Sequence, residues 1–393
     1  MGRRQSILPL SAFRFPLSPP PPGTPHPPPK HEEFTRATAL ALFDYLRKSH
    51  VPSAVISLSG GADSAAVATL VWLMVKLGVK ELGREAFESK IQNTPPSRDV
   101  ATSRERTEQP STSTDVKPLV RTLLTCVYQS TRNSSATTRH AAATIAHAIG
   151  AEFLEWNIDP LVDGYVQTVS QAIGRDLTWD ADDVALQNIQ ARTRGPAAWL
   201  LANLKNALLL VTSNRSEAAV GYATMDGDTC GGLAPIGGVD KHYLLQWLKW
   251  METTGPLGVG PLPELLVITA QQPTAELRPT AEGRAAQTDE GDLMPYVALD
   301  AIERAAVRDK LTPAEVDETI SPQLPDASAD ELIRWIERFF TLWRRNQWKR
   351  ERYAPSFHLD DRSLDPKGWC RFPILSGSQE EDFADLRRQA AKQ

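Results

Sequence analysis

The sequence predicts an α/β protein with an open, mostly parallel sheet that carries helices on both faces. Short apolar runs of strand length alternate with longer segments of helical periodicity between residues 34 and 222, and this alternation is typical of parallel sheets. The first run ends at a pair of glycines, where a strand would enter a tight turn. The chain has 393 residues, of which 41% are hydrophobic, so it has enough apolar material for a large core.

The elements are predicted from apolar patterns, taken in chain order. Strands are expected at residues 54–58, 119–127, 152–156 and 207–211. Helices are expected at residues 34–46, 65–77, 137–149, 183–204 and 215–222. Gly195 and Pro196 predict a kink or a break in the longest helix. Ligands bind at the carboxyl ends of the strands in such sheets, so functional motifs are expected just after strands.

Three segments fall outside this pattern. Residues 1–30 contain a dense proline tract and predict a disordered tail, which we favour over a targeting segment. Residues 85–117 are polar and predict a disordered insertion, and residues 376–393 predict a frayed tail. The rest of the chain is predicted to be one domain over residues 31–375, with the polar insertion inside it.

Composition narrows the class of protein. The formal net charge is −5, which argues against a nucleic-acid-binding protein because such proteins carry a basic face. No apolar run approaches the roughly 20 residues that a membrane span needs. Cys126, Cys230 and Cys370 are widely spaced and form neither a disulfide framework nor a zinc pattern. This set predicts a reducing compartment, the cytoplasm.

A phosphate-binding loop is predicted directly after the first strand, at residues 59–64 with the sequence SGGADS. Its glycines let the backbone approach a ligand closely, and the free N–H groups of the helix that follows form an anion site. It is not a Walker A loop, because it has no Gly-Lys-Ser/Thr end. Asp63 would repel phosphates unless a metal ion lies between them. A glycine turn with incidental polar residues is the less favoured interpretation.

The predicted long helix carries the segment NIQARTR at residues 188–194. Arg192 and Arg194 are two positions apart, so on a helix they point in different directions. Either one, taken alone, is as well explained by a solvated surface charge.

Polar residues also follow the fourth predicted strand. Thr212 and Ser213 lie at its carboxyl end and can cap the next helix. Glu217 then lies in the first turn of that helix, where a carboxylate is favourable. The loop at residues 223–232 is rich in glycine and carries two carboxylates, one of them Asp228. Capping does not explain this loop, which therefore points to a ligand.

The SGGADS loop resembles the pyrophosphate loop of ATP pyrophosphatases of the adenine-nucleotide α-hydrolase type. Taken with the later motifs, the chain resembles NAD synthetases from about residue 33 to residue 375, and it looks most like the synthetase half of the glutamine-dependent form. The matching blocks are SLSGGADS, TRNSSATTRHAA, NIQARTRG, TSNRSEAAVGYATMDGDTCGGLAPIGGVDK, PTAEL, QTDEGDLMPY and WKRERYAPSFHLDDRSLDPKGWCRFPIL.

The resemblance implies a ligase that forms a C–N bond in the last step of NAD biosynthesis. The nicotinate carboxylate of nicotinic acid adenine dinucleotide (deamido-NAD) would attack the α phosphate of ATP, giving an adenylated intermediate and pyrophosphate. Ammonia would then displace AMP and leave the carboxamide of NAD. Charge on the phosphates opposes the first step, so metal and amide donors must be preorganised.

The resemblance also implies the residues of the site. The ATP contacts would be Ser59, Gly60, Gly61, Ser64, Thr212, Lys241 and Thr274. The deamido-NAD contacts would be Asn188, Arg192, Glu217, Asp228 and Lys349. Asp63 and Glu217 would bind Mg²⁺. Asp63 and Lys241 would be catalytic, with Lys241 as a point charge on the leaving pyrophosphate.

The chain departs from the family pattern at three positions. Met225 stands where ammonia-dependent bacterial forms have lysine, so that substrate contact would be made otherwise. Gly291 replaces an expected acidic residue, which puts in doubt the detail of its loop. Gln187 stands where glutamate is expected.

The glutamine-dependent form carries an N-terminal nitrilase-like amidase, whereas the phosphate loop here begins at residue 59. We therefore expect the nitrogen to come from free ammonia or from a separate glutaminase subunit. The resemblance also implies a homodimer or a larger homo-oligomer. Two alternatives stay open: another amide-forming ATP pyrophosphatase, such as a GMP-synthetase-like enzyme, or an inactive ATP-binding fragment of a glutamine-dependent enzyme.

Overall fold

A four-stranded parallel sheet forms the centre of the molecule. The computed structural model describes residues 30–92, 115–271, 276–278, 289–368, 370 and 379–391. The strands are β1 (Ser53–Ser57), β2 (Leu124–Ser130), β3 (Glu152–Asn157) and β4 (Ala207–Leu210), in the order β3-β2-β1-β4. The α/β fold with a parallel sheet is therefore confirmed. The chain order reverses beside β1, and this switch point opens the crevice where ligands of such sheets bind.

Helices connect and cover the strands. Up to β4 they are α1 (Lys30–Ser49), α2 (Ala62–Leu82), α3 (Arg84–Ile91), α4 (Lys117–Leu123), α5 (Ala136–Ile149), α6 (Asp159–Ile173) and α7 (Trp179–Leu204). After β4 come α8 (Arg215–Val220), α9 (Lys241–Thr253), α10 (Leu266–Thr269), α11 (Asp289–Asp292), α12 (Tyr296–Glu303), α13 (Pro313–Ile320), α14 (Ala329–Arg345), α15 (Gln347–Arg350) and α16 (Glu380–Ala390). The predicted strand and helix positions are confirmed apart from the corrections below.

The sheet is buried on both faces. On one face α1, α2, α5 and α9 form the main apolar core, in which Trp247 of α9 is fully buried. On the other face Ala198 and Ala202 of α7 pack on Val55 and Leu209 of the sheet. Within the described residues, α2 is the one helix long and apolar enough to cross a membrane, but 83% of its most apolar window is buried in the protein. Core packing accounts for that composition.

A second apolar core lies after the sheet. Helices α12, α13, α14 and α16, which we call the helical lobe, bury it together with α8. Helix α14 contributes Leu332, Ile336, Phe339 and Trp343, which recur at helical spacing on one face. Because α8 begins directly after β4, this lobe is attached to the sheet edge where ligands bind.

The structure corrects the boundaries of two predicted segments. Residues 119–123 were expected in a strand but belong to α4, which starts with Pro118 in its first turn, where proline is favoured. A short apolar run does not by itself distinguish helix from strand. The predicted insertion at residues 85–117 begins with α3, whose Phe87 stacks on Phe43 at 5.4 Å between ring centroids. Residues 93–114 lie outside the described part.

Two further expectations are wrong. The tail at residues 376–393 contains helix α16, which buries Leu386 in the helical lobe. Helix α7 does not break at Gly195 and Pro196, and its one non-helical residue is Asp182 near its start. A Cβ at Gly195 would lie 2.9 Å from the carbonyl oxygen of Asp226. This glycine therefore permits close packing of a loop against the helix. Of the predicted tail at residues 1–30, the structure describes only Lys30.

Candidate functional site

A cavity of about 510 Å³ lies at the carboxyl ends of β1, β2 and β4, and we call it the cleft. Most of the residues predicted from the sequence line it. They are Ser59, Gly60, Gly61, Asp63, Ser64, Asn188, Thr212, Glu217, Asp228, Lys241 and Lys349. Thr274 lies outside the described residues. Arg192 does not line the cleft. The structure thus brings together residues that are nearly 300 positions apart in the chain.

The SGGADS loop enters the cleft between β1 and α2. Gly60 has a φ of 84°, and a Cβ there would lie 2.1 Å from the carbonyl oxygen of Thr138, so only glycine fits. Ser59 and Ser64 join the two ends of the loop, with their hydroxyl oxygens 3.1 Å apart. Gly61 precedes α2 without a side-chain cap. The first N–H groups of this 21-residue helix are thus directed at an incoming anion.

Lys241 lies at the centre of the cleft. Its Nζ donates hydrogen bonds to Asp63 Oδ2 and, at 3.3 Å, to Glu217 Oε1. Asn214 holds the two carboxylate residues: its Nδ2 donates to Asp63 Oδ1 at 2.9 Å, and its Oδ1 accepts from the backbone N–H of Glu217 at 3.0 Å. Asn214 is therefore the cap of α8, not Thr212 or Ser213 as expected. One amide side chain both caps the helix and fixes this cluster.

The predicted Mg²⁺ ligands fit a divalent ion that is shared with phosphates. Asp63 and Glu217 come from different elements and converge on one point, the Lys241 ammonium. Among the residues that the structure describes, no group of three or more histidine, cysteine or acidic side chains could hold a metal. Two carboxylates with phosphate and water oxygens are a usual Mg²⁺ environment, so the donor set suits an ion that arrives with a nucleotide.

A second group of predicted residues meets at the loop that follows α8. Asn188 Oδ1 accepts from Thr224 Oγ1 at 2.9 Å, and Asp228 Oδ1 accepts from the backbone N–H of Thr224 at 2.7 Å. Lys349 donates from Nζ to the carbonyl oxygens of Gly221 and Ala223, each at 2.7 Å. These bonds fix the loop as one wall of the cleft.

Two ionisable groups of this wall have pKa values that differ from those of free side chains. Asp228 is open to the cleft but surrounded by protein atoms, and this desolvation raises its pKa to about 6. Desolvation also lowers the pKa of the Lys349 ammonium.

The two arginines of NIQARTR point in different directions, as predicted, and it is Arg194 rather than Arg192 that lines the cleft. Arg192 is exposed and donates from Nε to the carbonyl oxygen of Met225 at 3.0 Å. Arg194 lines the cleft, and its two hydrogen bonds to the carbonyl oxygens of Gln129 and Gln190 are long, 3.4 Å each. Burial lowers the pKa of Arg194. The sequence could not show which helix face meets the sheet.

Other cleft residues were missed. Tyr128, Gln129 and Thr138 follow or end β2, and the rule that found the other motifs would have found them, because the carboxyl end of β2 is also at the cleft. Glu276 of the PTAEL block accepts hydrogen bonds from Ser135 N at 3.1 Å and Thr138 Oγ1 at 2.9 Å. This block therefore contacts the first turn of α5.

The structure shows the surroundings of the three residues that depart from the family pattern. Met225 is buried, with its carbonyl oxygen bound to Arg192. Gln187 lines the cleft and donates to Asp183 Oδ1 at 3.0 Å. Gly291 lies in the short helix α11.

The fold and the cleft together define a class: a nucleotide-binding α/β protein of the adenine-nucleotide α-hydrolase type. Its features are the parallel sheet, the switch point beside β1 and the glycine loop that opens onto α2. The family model described as NAD synthase matches residues 34–352. The chain belongs to the NAD synthase family.

Individual relatives agree with this assignment. The crystal structure of a glutamine-dependent NAD(+) synthetase from Cytophaga hutchinsonii is 42% identical, with a TM-score of 0.75, over 91% of this chain and 56% of that one. The glutamine-dependent NAD(+) synthetase of Homo sapiens is 30% identical over 88% of this chain and 49% of its own length. A putative glutamine-dependent NAD(+) synthetase of Schizosaccharomyces pombe is 30% identical over 85% and 48%. The chain spans about half the length of the curated relatives it matches.

Proposed function

We propose that this chain catalyses the ATP-dependent amidation of deamido-NAD to NAD. The observation that carries the proposal is the position of Lys241, held between Asp63 and Glu217 at the switch point of a sheet from the NAD synthase family. One cation and two carboxylates, beside an open helix N-terminus, suit a site that handles phosphates and a divalent ion.

In the first step, an oxygen of the nicotinate carboxylate forms a bond to the α phosphorus of ATP while the bond from that phosphorus to the bridging oxygen breaks. Pyrophosphate takes the electron pair and leaves. The carboxylate attacks already ionised, so this step needs no general base. The N–H groups at the start of α2 and the Lys241 ammonium stabilise charge on the phosphates. Asp63 and Glu217 would hold Mg²⁺, which supplies further neutralisation of that charge when bound.

In the second step, ammonia attacks the acyl carbon of the adenylate, the bond from that carbon to the bridging oxygen breaks, AMP leaves with this oxygen, and the nitrogen releases one proton to solvent. A carboxylate is a poor acyl donor, whereas the mixed anhydride has a good leaving group, which is why ATP is consumed. The loop that Asn188, Asp228 and Lys349 organise would hold the dinucleotide. Ammonia would be free or supplied by a glutaminase subunit.

The test compares nitrogen donors with the purified chain, Mg²⁺, ATP and deamido-NAD. We expect NAD, AMP and pyrophosphate with ammonium chloride, and with glutamine only when a glutaminase is added. If ATP binds but no NAD forms at high ammonium, the proposal is wrong and the alternative of an inactive ATP-binding fragment stands. Replacing deamido-NAD by XMP tests the GMP-synthetase-like alternative, for which we expect no ATP–pyrophosphate exchange.

We infer that the chain also forms a homodimer or larger homo-oligomer through α6. Leu161, Tyr165, Val169 and Ile173 recur at every fourth position of this helix, and each is about half exposed. A continuous apolar stripe of this kind is typical of an interface, and a second copy would present the same stripe in a symmetric contact. Light scattering should give at least a dimer mass for the wild type and a smaller mass for Val169→Asp.

The cytoplasm remains our proposed compartment. All three cysteines are free: Cys126 and Cys370 are buried and Cys230 is partly exposed. Free thiols are typical of proteins that work in reducing surroundings.

A further inference from the structure

The first three backbone amides of α9 each donate a hydrogen bond to a side chain. In order along the helix, the acceptors are Ser216 Oγ at 2.8 Å, Asp300 Oδ2 at 3.0 Å and Asp240 Oδ1 at 2.7 Å. The first N–H groups of a helix have no partner within the helix itself, and a single capping residue satisfies only part of them. Because all three are bound here, the place of Lys241, the first residue of α9, is closely determined.

Asp300 accepts hydrogen bonds on both sides of the group formed by Lys241, Asp63 and Glu217. Its Oδ1 accepts a hydrogen bond from the Ser216 hydroxyl, and its Oδ2 accepts from the backbone N–H of His242. Ser216 directly precedes Glu217, and His242 directly follows Lys241. One carboxylate therefore holds the chain neighbours of two cleft residues, although Asp300 itself does not line the cleft.

The location of Asp300 is unfavourable for a carboxylate. It lies on α12 in the helical lobe, partly buried, and within the described residues it forms no ion pair. Desolvation raises its pKa well above the usual value, and the negative charges of Asp240 and Glu303 raise it further. Packing of the lobe would be served better by an apolar residue. The carboxyl group provides two acceptor oxygens, one for Ser216 of α8 and one for the backbone N–H of His242 of α9.

We propose that Asp300 is a positioning residue for Lys241. Its two hydrogen bonds hold α8 and α9 in the relative position that places the Lys241 ammonium between Asp63 and Glu217. The helical lobe thus contributes to the reaction without contacting substrate. This inference rests on the proposed function, in which Lys241 acts on the leaving pyrophosphate. An error of about 1 Å in the place of such a group can lower the rate by about 10²-fold.

The test uses two substitutions of graded severity in the full chain. Asp300→Ala removes both acceptors, and Asp300→Asn keeps one oxygen. We expect kcat for NAD formation to fall about tenfold or more in Asp300→Ala and by an intermediate amount in Asp300→Asn, with KM for ATP within about threefold of wild type. Crystal structures should show Lys241 Nζ displaced from Asp63 in Asp300→Ala and in place in the wild type.

Asp317→Ala is the matched control. Asp317 is another buried acidic residue of the helical lobe, on α13, and its carboxylate is bound to Ser321 rather than to α9. Assayed at a temperature where melting curves show every variant folded, Asp317→Ala should keep kcat within about twofold of wild type.

Three results would overturn the inference. They are an unchanged kcat in Asp300→Ala, losses of kcat in Asp300→Ala and Asp317→Ala that follow only their losses of Tm, or an unmoved Lys241 in the variant crystal structure. If the wild type itself forms no NAD, the proposed function fails, and the crystal structures still decide whether Asp300 places Lys241.

Discussion

Two clusters of charge lie side by side in this molecule and have the same composition, a cation among carboxylates. In the cleft, Lys241 contacts Asp63 and Glu217, whose side chains keep 19% and 11% of their surface exposed. In the second cluster, Arg215 contacts Glu303, and only 1% of either side chain is exposed. We call these the cleft cluster and the buried cluster. Lys241, Asp63 and Glu217 line the cleft, whereas Arg215 and Glu303 do not, so only the cleft cluster can exchange its partners for a ligand.

The two clusters share α8 and the start of α9, where each takes a neighbouring residue. Arg215 lies two positions before Glu217 on α8, and Asp240, which binds Arg215 at 2.8 Å, directly precedes Lys241. The Arg215 side chain also donates to the carbonyl oxygen of Gly238 at 2.9 Å. α8 and the start of α9 thus each place one side chain in the cleft and one in the buried cluster. We expect substitutions in the buried cluster to act on stability and those in the cleft cluster to act on turnover.

Arg215→Ala should have the largest effect on stability. It leaves the buried Glu303 without its cation, and breaking a buried pair from one side costs about 3–5 kcal/mol of unfolding free energy. Urea denaturation of wild type and variant measures this. Lys48→Ala is the control, because Lys48 forms a single exposed ion pair with Asp44 on α1 and should change the midpoint little. Equal losses in the two variants would contradict the distinction between buried and exposed pairs.

Lys241→Ala should have the largest effect on activity. It removes the cation proposed for the leaving pyrophosphate, and loss of one preorganised charge of this kind lowers kcat by about 10²–10³-fold. Asp63→Ala should abolish turnover, because it removes a proposed Mg²⁺ ligand as well. Lys249→Ala, on the exposed side of the same helix, should keep wild-type kcat. Retention of activity in Asp63→Ala would refute the metal assignment.

Glu303→Gln should change the pH dependence of stability. Burial raises the pKa of Glu303 from 4.5 to about 7, although the neighbouring Arg215 opposes that shift. The folded protein therefore binds more protons than the unfolded chain between these values, so this carboxyl group makes stability fall as pH rises from about 4.5 to about 7. A pKa difference of this size corresponds to about 3 kcal/mol at most.

Urea denaturation at pH 5 and pH 8 measures the effect. The decrease between the two pH values should be smaller in Glu303→Gln than in wild type, and Glu264→Gln, an exposed control, should behave as wild type does. An unchanged pH dependence in Glu303→Gln would mean that Arg215 keeps this carboxylate ionised throughout.

The same comparison explains what the sequence could predict. In the cleft cluster, Asp63 was predicted from the SGGADS loop that directly follows a strand, whereas the roles of Glu217 and Lys241 were implied by the resemblance to NAD synthetases. The buried cluster was not predicted, because Glu303 lies 88 positions from Arg215, and only the packing of the helical lobe brings them together.

The sequence also did not show which face of α7 is turned towards the cleft. In the structure Arg194, not Arg192, faces the cleft. The strands were predicted well, since apolar runs of buried parallel strands are clear, whereas residues 119–123 of α4 have the same composition.

Asn214 lies at the boundary between the clusters, and we expect its substitution to have the smallest effect on stability. Asn214→Ala removes the cap of α8, which is worth about 1 kcal/mol, and also the hydrogen bond to Asp63. Asn214→Ser keeps a capping hydroxyl that is too short to reach Asp63, so stability should stay within about 0.5 kcal/mol of wild type while kcat falls as much as in Asn214→Ala. If Asn214→Ser keeps full activity, Asn214 serves the helix alone, and the support for the cleft cluster comes from Asp300 and from the buried cluster.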